Sequence, residues 1–157
     1  MRKIVFLDID GVLNSEKYDR QRTAQDGNID ETRLAFMKEL IDYTNADIVL
    51  SSSWRKHWSR NAEECDAIGM EINHTFERYG LKIFDKTPII GARERAAEIQ
   101  VWLDAHVGEV ESFVILDDTF GGWGALQKNL VKTNSRIGRG FERSQMERAK
   151  ELLCAGQ

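Results

Sequence analysis

Asp8 and Asp10 follow the apolar run Ile4-Val5-Phe6-Leu7, Ser51 follows Ile48-Val49-Leu50, and Asp117 and Asp118 follow Phe113-Val114-Ile115-Leu116. Carboxylates gathered from separate strand ends into one place would repel one another, because like charges a few ångströms apart cannot all stay ionised. A hard divalent cation removes that conflict. Mg²⁺ prefers oxygen ligands, keeps several of its waters and is usually completed by a substrate phosphate. Asp8, Asp10, Asp117 and Asp118 are therefore candidate metal ligands, with Mg²⁺ as the expected cofactor. Ser51 is neutral and suits hydrogen bonding to a phosphate oxygen. A basic residue is still needed to balance the phosphate's charge.

The stretch Asp8-Ile9-Asp10-Gly11-Val12-Leu13-Asn14 has a further property. Residues two apart on an extended strand point to the same side, so Asp8 and Asp10 can address one substrate. Gly11 lets the chain leave the strand by a turn that a side chain would obstruct. One carboxylate of such a pair can attack phosphorus to give an aspartyl-phosphate. The other can protonate the leaving oxygen and later activate water.

The elements that must carry these residues alternate along the chain. Continuous apolar runs such as 4–7 and 113–116 predict strands covered on both faces. Leu34, Met37 and Ile41 fall at helical spacing from about Asp30 to near Asn45, and Asp47–Leu50 predicts the next strand. Residues 55–68 are polar and read as helical. Leu81–Phe84 reads as a weaker strand, Ala96, Ile99 and Leu103 mark a helix, and 129–133 predicts a last strand. Met146, Ala149 and Leu153 lie on one face of a C-terminal helix. The expected fold is α/β: an open, doubly wound, mainly parallel sheet of about five strands, with ligands at the carboxyl ends near the reversal of strand order. With one proline and no linker, repeat or low-complexity tract, residues 1–157 are expected to form a single domain, with 14–28 as a short flap.

Composition narrows the function. At 41% apolar and 31% charged, the chain is that of an ordinary globular protein. A net charge of -4 argues against a protein whose main task is gripping duplex DNA, without excluding a locally basic cleft. Cys65 and Cys154 are too few for a disulfide framework, and no CxxC pair suggests zinc. The apolar run after Met1-Arg2-Lys3 stops at Asp8, short of a signal sequence, and no stretch approaches a membrane span. A cytoplasmic protein with no membrane attachment and no obligate protein partner is expected.

The motifs closely resemble those of the haloacid dehalogenase superfamily of phosphatases. That family's first motif, DxDG followed by T or V, stands here as Asp8-Ile9-Asp10-Gly11-Val12. Its second, a Ser or Thr closing an apolar strand, matches Ser51, and its acidic fourth motif matches Asp117-Asp118. The resemblance implies Asp8 as nucleophile, Asp10 as acid/base with its backbone carbonyl on the metal, and Ser51 on the phosphoryl group. It implies Asp118 as the direct metal ligand and Asp117 as its support. The third motif's basic residue has three candidates, Lys86, Arg93 and Arg95, of which Arg95 is preferred for its place at a helix start.

Other residues stand near these motifs. Ser52 is a one-residue register alternative to Ser51 as a phosphate ligand, and Arg55 could reach the phosphate. Trp54 and Trp123 are packed loop aromatics that could also wall a substrate pocket. The basic stretch Arg136–Phe141 reads as a solvated loop able to meet a polyanion. The segment between Asp10 and Ser51 holds a helix and a strand, leaving room for a flap but not a cap domain. Leu50–Arg55, the Glu98-Ile99-x-x-Trp102-Leu103 helix and Leu116-Asp117-Asp118 look like the compact domains of this superfamily associated with RNA repair. The expected substrates are phosphorylated nucleic-acid ends or nucleotides. Alternatives are a small-molecule phosphatase, a non-catalytic phosphate-binding relic, or a receiver-like regulatory domain, whose acidic pair would follow the first strand instead.

Overall fold

Ile4–Leu7 is apolar without interruption because its strand is buried on both sides. In the computed structural model, which describes residues 1–92 and 94–155, strand β1 (Arg2–Leu7) lies at the centre of a parallel sheet. Its neighbours are β2 (Asp47–Leu50) and β4 (Val110–Asp117), flanked by β3 (Ile83–Lys86) and β5 (Leu130–Lys132), giving the order β3-β2-β1-β4-β5. The expected α/β fold is the observed one.

The side-chain period of two divides the strands between two apolar layers. Val5 and Leu7 pack with Leu34, Met37 and Leu40 of helix α2 (Glu31–Thr44), Ile72 and Phe76 of α3 (Ala67–Glu77), and Met146 and Leu153 of α5 (Arg143–Cys154). Ile4 and Phe6 pack on the opposite face against Ile99 and Trp102 of α4 (Arg95–Ala105). Each fully buried Leu, Ile or Phe side chain contributes about 1.5–3 kcal/mol to stability.

The register aligns the strand ends. Leu7 pairs with both Leu50 and Leu116, so Asp8, Ser51 and Asp117 emerge side by side. Strand order reverses at β1, which makes this edge the place where a ligand crevice is expected.

Three local expectations are corrected. Residues 55–68 are not one helix: short 3₁₀ turns at Ser53–His57 and Ala62–Glu64 precede α3. The side chains of Ser52, Asn61 and Asp66 each cap the turn that follows, and local caps compete with a continuous helix. The third strand begins at Ile83, not Leu81, because Leu81 closes α3 by donating its N–H to the Phe76 carbonyl. The 14–28 flap contains a helix, α1 (Glu16–Gln21), too short to show a period. The Tyr18 hydroxyl donates to the Gly27 or the Ile29 carbonyl oxygen, 2.7 and 3.0 Å away, and folds the flap back on itself. Among the described residues no helix is long and apolar enough to cross a membrane.

Candidate active site

Asp8 leaves β1 with its backbone N–H bonded to the Leu116 carbonyl, and is only 4% exposed. Its Oδ1 accepts from the Ile9 N–H at 2.9 Å, and its Oδ2 lies 2.9 Å from Arg95 Nη1. Burial, then the Asp117 and Asp118 carboxylates, push its carboxyl up to about 7, against the opposing pull of Arg95.

Asp117 is fully buried, and its Oδ2 accepts from the same Arg95 Nη1 at 2.6 Å while its Oδ1 accepts from the Thr119 N–H. Burial works against the Arg95 charge, but Asp8 and Asp117 outweigh it and hold the guanidinium above its ordinary value. Asp118 is more open, and its Oδ2 accepts from Ser135 Oγ at 3.2 Å. Burial and the adjacent Asp117 raise its carboxyl as well.

The turn after β1 explains the glycine. Gly11 has φ +83°, and a Cβ there would fall 2.1 Å from Asp118 Oδ2. A side chain at this position would be strained and would also displace an acidic residue of the site. Thr133, immediately after β5, donates its hydroxyl to the Gly11 carbonyl at 2.7 Å and fixes the turn.

Asp8, Asp117 and Asp118 each present an oxygen within 4.8 Å of the others. This hard-oxygen set, with two carboxyls driven upward by crowding and burial, fits a divalent cation. The expected convergence of four carboxylates is corrected to three. Asp10 is exposed, its carboxylate turned to other partners: Trp54 Nε1 donates to Oδ2 at 2.9 Å and Asn14 Nδ2 to Oδ1 at 3.1 Å.

The phosphate candidates separate clearly. Ser51 Oγ is buried with no hydrogen-bond partner among the described residues, a costly state unless a ligand oxygen meets it. Ser52 spends its hydroxyl accepting from the Trp54 N–H as the cap of the first 3₁₀ turn. Arg95 stands at the site. Lys86 does not: its ammonium donates to the Arg55 and Trp58 carbonyls. Arg93 lies outside the described residues.

Arg55 is corrected from a phosphate ligand to a brace. It is 4% exposed, pairs with buried Glu98 of α4, and donates to the carbonyls of Ser51, Ser52, Thr87 and Pro88. It thereby ties the loop bearing Ser51 to the helix bearing Arg95. Trp123 is the expected packed loop aromatic and does not wall the pocket: it is 3% exposed, packs in the second apolar layer, and donates to the Thr119 carbonyl. The basic stretch 136–141 ends in fully buried Phe141, whose N–H bonds to the Val12 carbonyl. Asn14, Glu98, Thr133 and Ser135 carried no assigned role in the sequence: Asn14 and Glu98 lie within the motif stretches, but the partner that a polar side chain meets is not written in its local pattern.

A family model described as "HAD domain in Swiss Army Knife RNA repair proteins" matches residues 4–145. The chain belongs to that family. Comparison with curated proteins finds no match, and neither does comparison with solved structures. The match begins within β1, takes in the other four strands whole, and covers all of the residues gathered at the site of this HAD domain. Within that span the HAD domain has a helix of six residues where its flap leaves the core.

Proposed function

We propose that this HAD domain is a Mg²⁺-dependent phosphomonoesterase acting through an aspartyl-phosphate on Asp8, with phosphorylated nucleic-acid ends or nucleotides as substrates. The observation that carries the reading is the pairing of buried Asp8 with Asp10, two residues on, whose carboxylate is held apart by Trp54 and Asn14. The family description supports RNA as the substrate class.

An Asp8 oxygen attacks phosphorus, forming an O–P bond as the bond to the leaving oxygen breaks, and Asp10 in its acid form gives that oxygen its proton. Asp10, now a carboxylate, takes a proton from a water molecule as that water attacks phosphorus. The Asp8–phosphorus bond breaks, inorganic phosphate departs, and both residues return to their starting forms. Ser51 Oγ and the Arg95 guanidinium donate to the non-bridging oxygens, where charge spreads in the transition state. A Mg²⁺ held by Asp8, Asp118 and the Asp10 backbone carbonyl, with Asp117 in support, would neutralise charge on the phosphoryl group and between the carboxylates.

Turnover of p-nitrophenyl phosphate with Mg²⁺ tests this directly. Activity lost in EDTA, restored by Mg²⁺ and abolished in Asp8→Asn is the expected result. A stable aspartyl-phosphate without turnover would point to a receiver-like role instead.

A further inference from the structure

A groove of about 940 Å³ runs between the flap and α3, within the size range of ligand pockets. Its wall includes Ile9, the residue between Asp8 and Asp10, and Trp54, whose indole N–H is bonded to Asp10. The groove therefore adjoins the acid that must meet the leaving oxygen. The flap and helix close on each other where a Cβ on Gly27 would stand 3.0 Å from Glu71 Oε1.

The charges along the groove are acidic. Asp26, Glu31 and Glu71 line it, and the Arg78 guanidinium is occupied by Glu31 Oε1 at 3.0 and 3.2 Å. Burial together with Asp26 and Asp30 pushes the Tyr18 phenol up, as expected in a negative field. A phosphodiester chain carrying one charge per nucleotide is repelled here. A nucleoside is not: it is neutral, offers a π-face to the Trp54 indole, and brings amino and hydroxyl donors to the carboxylates. The cations that border the groove are engaged, Arg22 by Asp19 and Asn28 and Arg78 by Glu31, and further exposed cations stand on the β5 side of the sheet. Lys132 ends β5, and Arg136 follows Ser135, the residue that contacts Asp118.

We infer that this groove is the leaving-group subsite and takes the terminal nucleoside of a phosphorylated end, while the phosphodiester chain behind it stays outside. The inference rests on the phosphomonoesterase reading and names the subsite for that reaction. It makes Trp54 and Glu71 specificity-determining residues.

The test is binding to full-length Asp8→Asn protein with Mg²⁺, measured calorimetrically, so that it needs no turnover. Adenosine 3′- and 5′-monophosphates are compared with inorganic phosphate and with a terminally phosphorylated oligonucleotide. At least one mononucleotide should bind about tenfold or more tighter than inorganic phosphate, and that ratio should fall severalfold on adding Trp54→Ala or Glu71→Arg. Mononucleotides binding no better than phosphate, or a ratio untouched by either substitution, would overturn the subsite. Tighter oligonucleotide binding in Glu71→Arg would overturn it differently, by showing that the chain itself enters the groove. Failure of the wild-type protein to hydrolyse any phosphomonoester would remove the phosphatase reading, while these affinities would still report whether the groove holds a nucleoside.

Discussion

Trp54 donates its indole N–H to Asp10 across 2.9 Å, joining the loop after β2 to the turn after β1. Together with Asn14 it holds both Asp10 oxygens, so the carboxylate is aimed by two side chains and stays apart from the acidic cluster. Trp54→Phe keeps an aromatic wall and removes only the donor. In steady-state kinetics, kcat should fall about 3- to 10-fold, a fraction of the 10²–10⁴ that a positioned acid/base supplies, with KM changed less. An unchanged kcat would show that Asp10 needs no help from Trp54.

Asp8→Asn should abolish turnover, since an amide matches the carboxylate in shape but is a poor nucleophile, and should stabilise the metal-free fold. The Asp8 carboxyl stands at about 7 in the folded protein against its ordinary 3.8, chiefly through burial and then through Asp117. Between those values the folded chain keeps a proton that the unfolded chain has released. Stability from this group is therefore fully present at the acid end and is lost as pH rises through about 7. In EDTA, the Tm of the wild-type protein should drop across this window and that of Asp8→Asn should drop less. Parallel curves for the two proteins would contradict the assigned cause.

Asp118 is the more open of the acidic pair, whereas Asp117 is fully buried and engaged by Arg95 and the Thr119 N–H. Asp118→Ala should raise the Mg²⁺ concentration needed for half-maximal activity more than Asp117→Asn does. Titration of activity with Mg²⁺ reads this, and the opposite order would exchange their roles.

Arg55 and Glu98 form a buried pair. Removing one partner strands a charge, so Arg55→Met should cost about 3–5 kcal/mol in denaturant unfolding. Much of that loss should return in Arg55→Met with Glu98→Leu, because no ion is then left uncompensated. A stably folded Arg55→Met protein with only a raised KM would restore Arg55 as a phosphate ligand.

A phosphorylated oligonucleotide should be hydrolysed with kcat/KM at least comparable to that of a mononucleotide, because the flap carries only the short α1 and not a cap domain. Any advantage of the longer substrate should weaken as salt rises, since phosphate contacts release counterions. Arg136→Gln should reduce that salt dependence. A strong preference for a small sugar phosphate would refute the nucleic-acid branch and leave the phosphatase reading intact.

Asp8, Ser51, Asp117 and Asp118 were legible from sequence because burial on both faces writes a strand as a continuous apolar run. In a parallel sheet the carboxyl ends of those runs share one edge. The first polar residue after each run is thereby located without knowledge of any contact, and the pairing of Leu7 with both Leu50 and Leu116 is what this logic anticipates. Arg95 was legible as the preferred of three cations but not as the decided one, since a helix start marks where a charge can reach and not what it meets.

What the tertiary structure alone decided is which of several like residues faces the site. Arg55 and Arg95 are both arginines close to the motifs, yet Glu98 and four carbonyls capture the first while Asp8 and Asp117 capture the second. Trp54 and Trp123 are both loop aromatics, and only Trp54 reaches an acidic residue of the site. Asp10 shares a motif with Asp8 but not its carboxylate cluster. The deciding contacts of Trp54 and Arg55 are distant in sequence: Trp54 and Asp10 stand 44 positions apart, and Arg55 and Glu98 43. Local pattern carries periodicity and burial, but a side chain's hydrogen-bond partner is set by packing between elements that meet only when the sheet and its helices close.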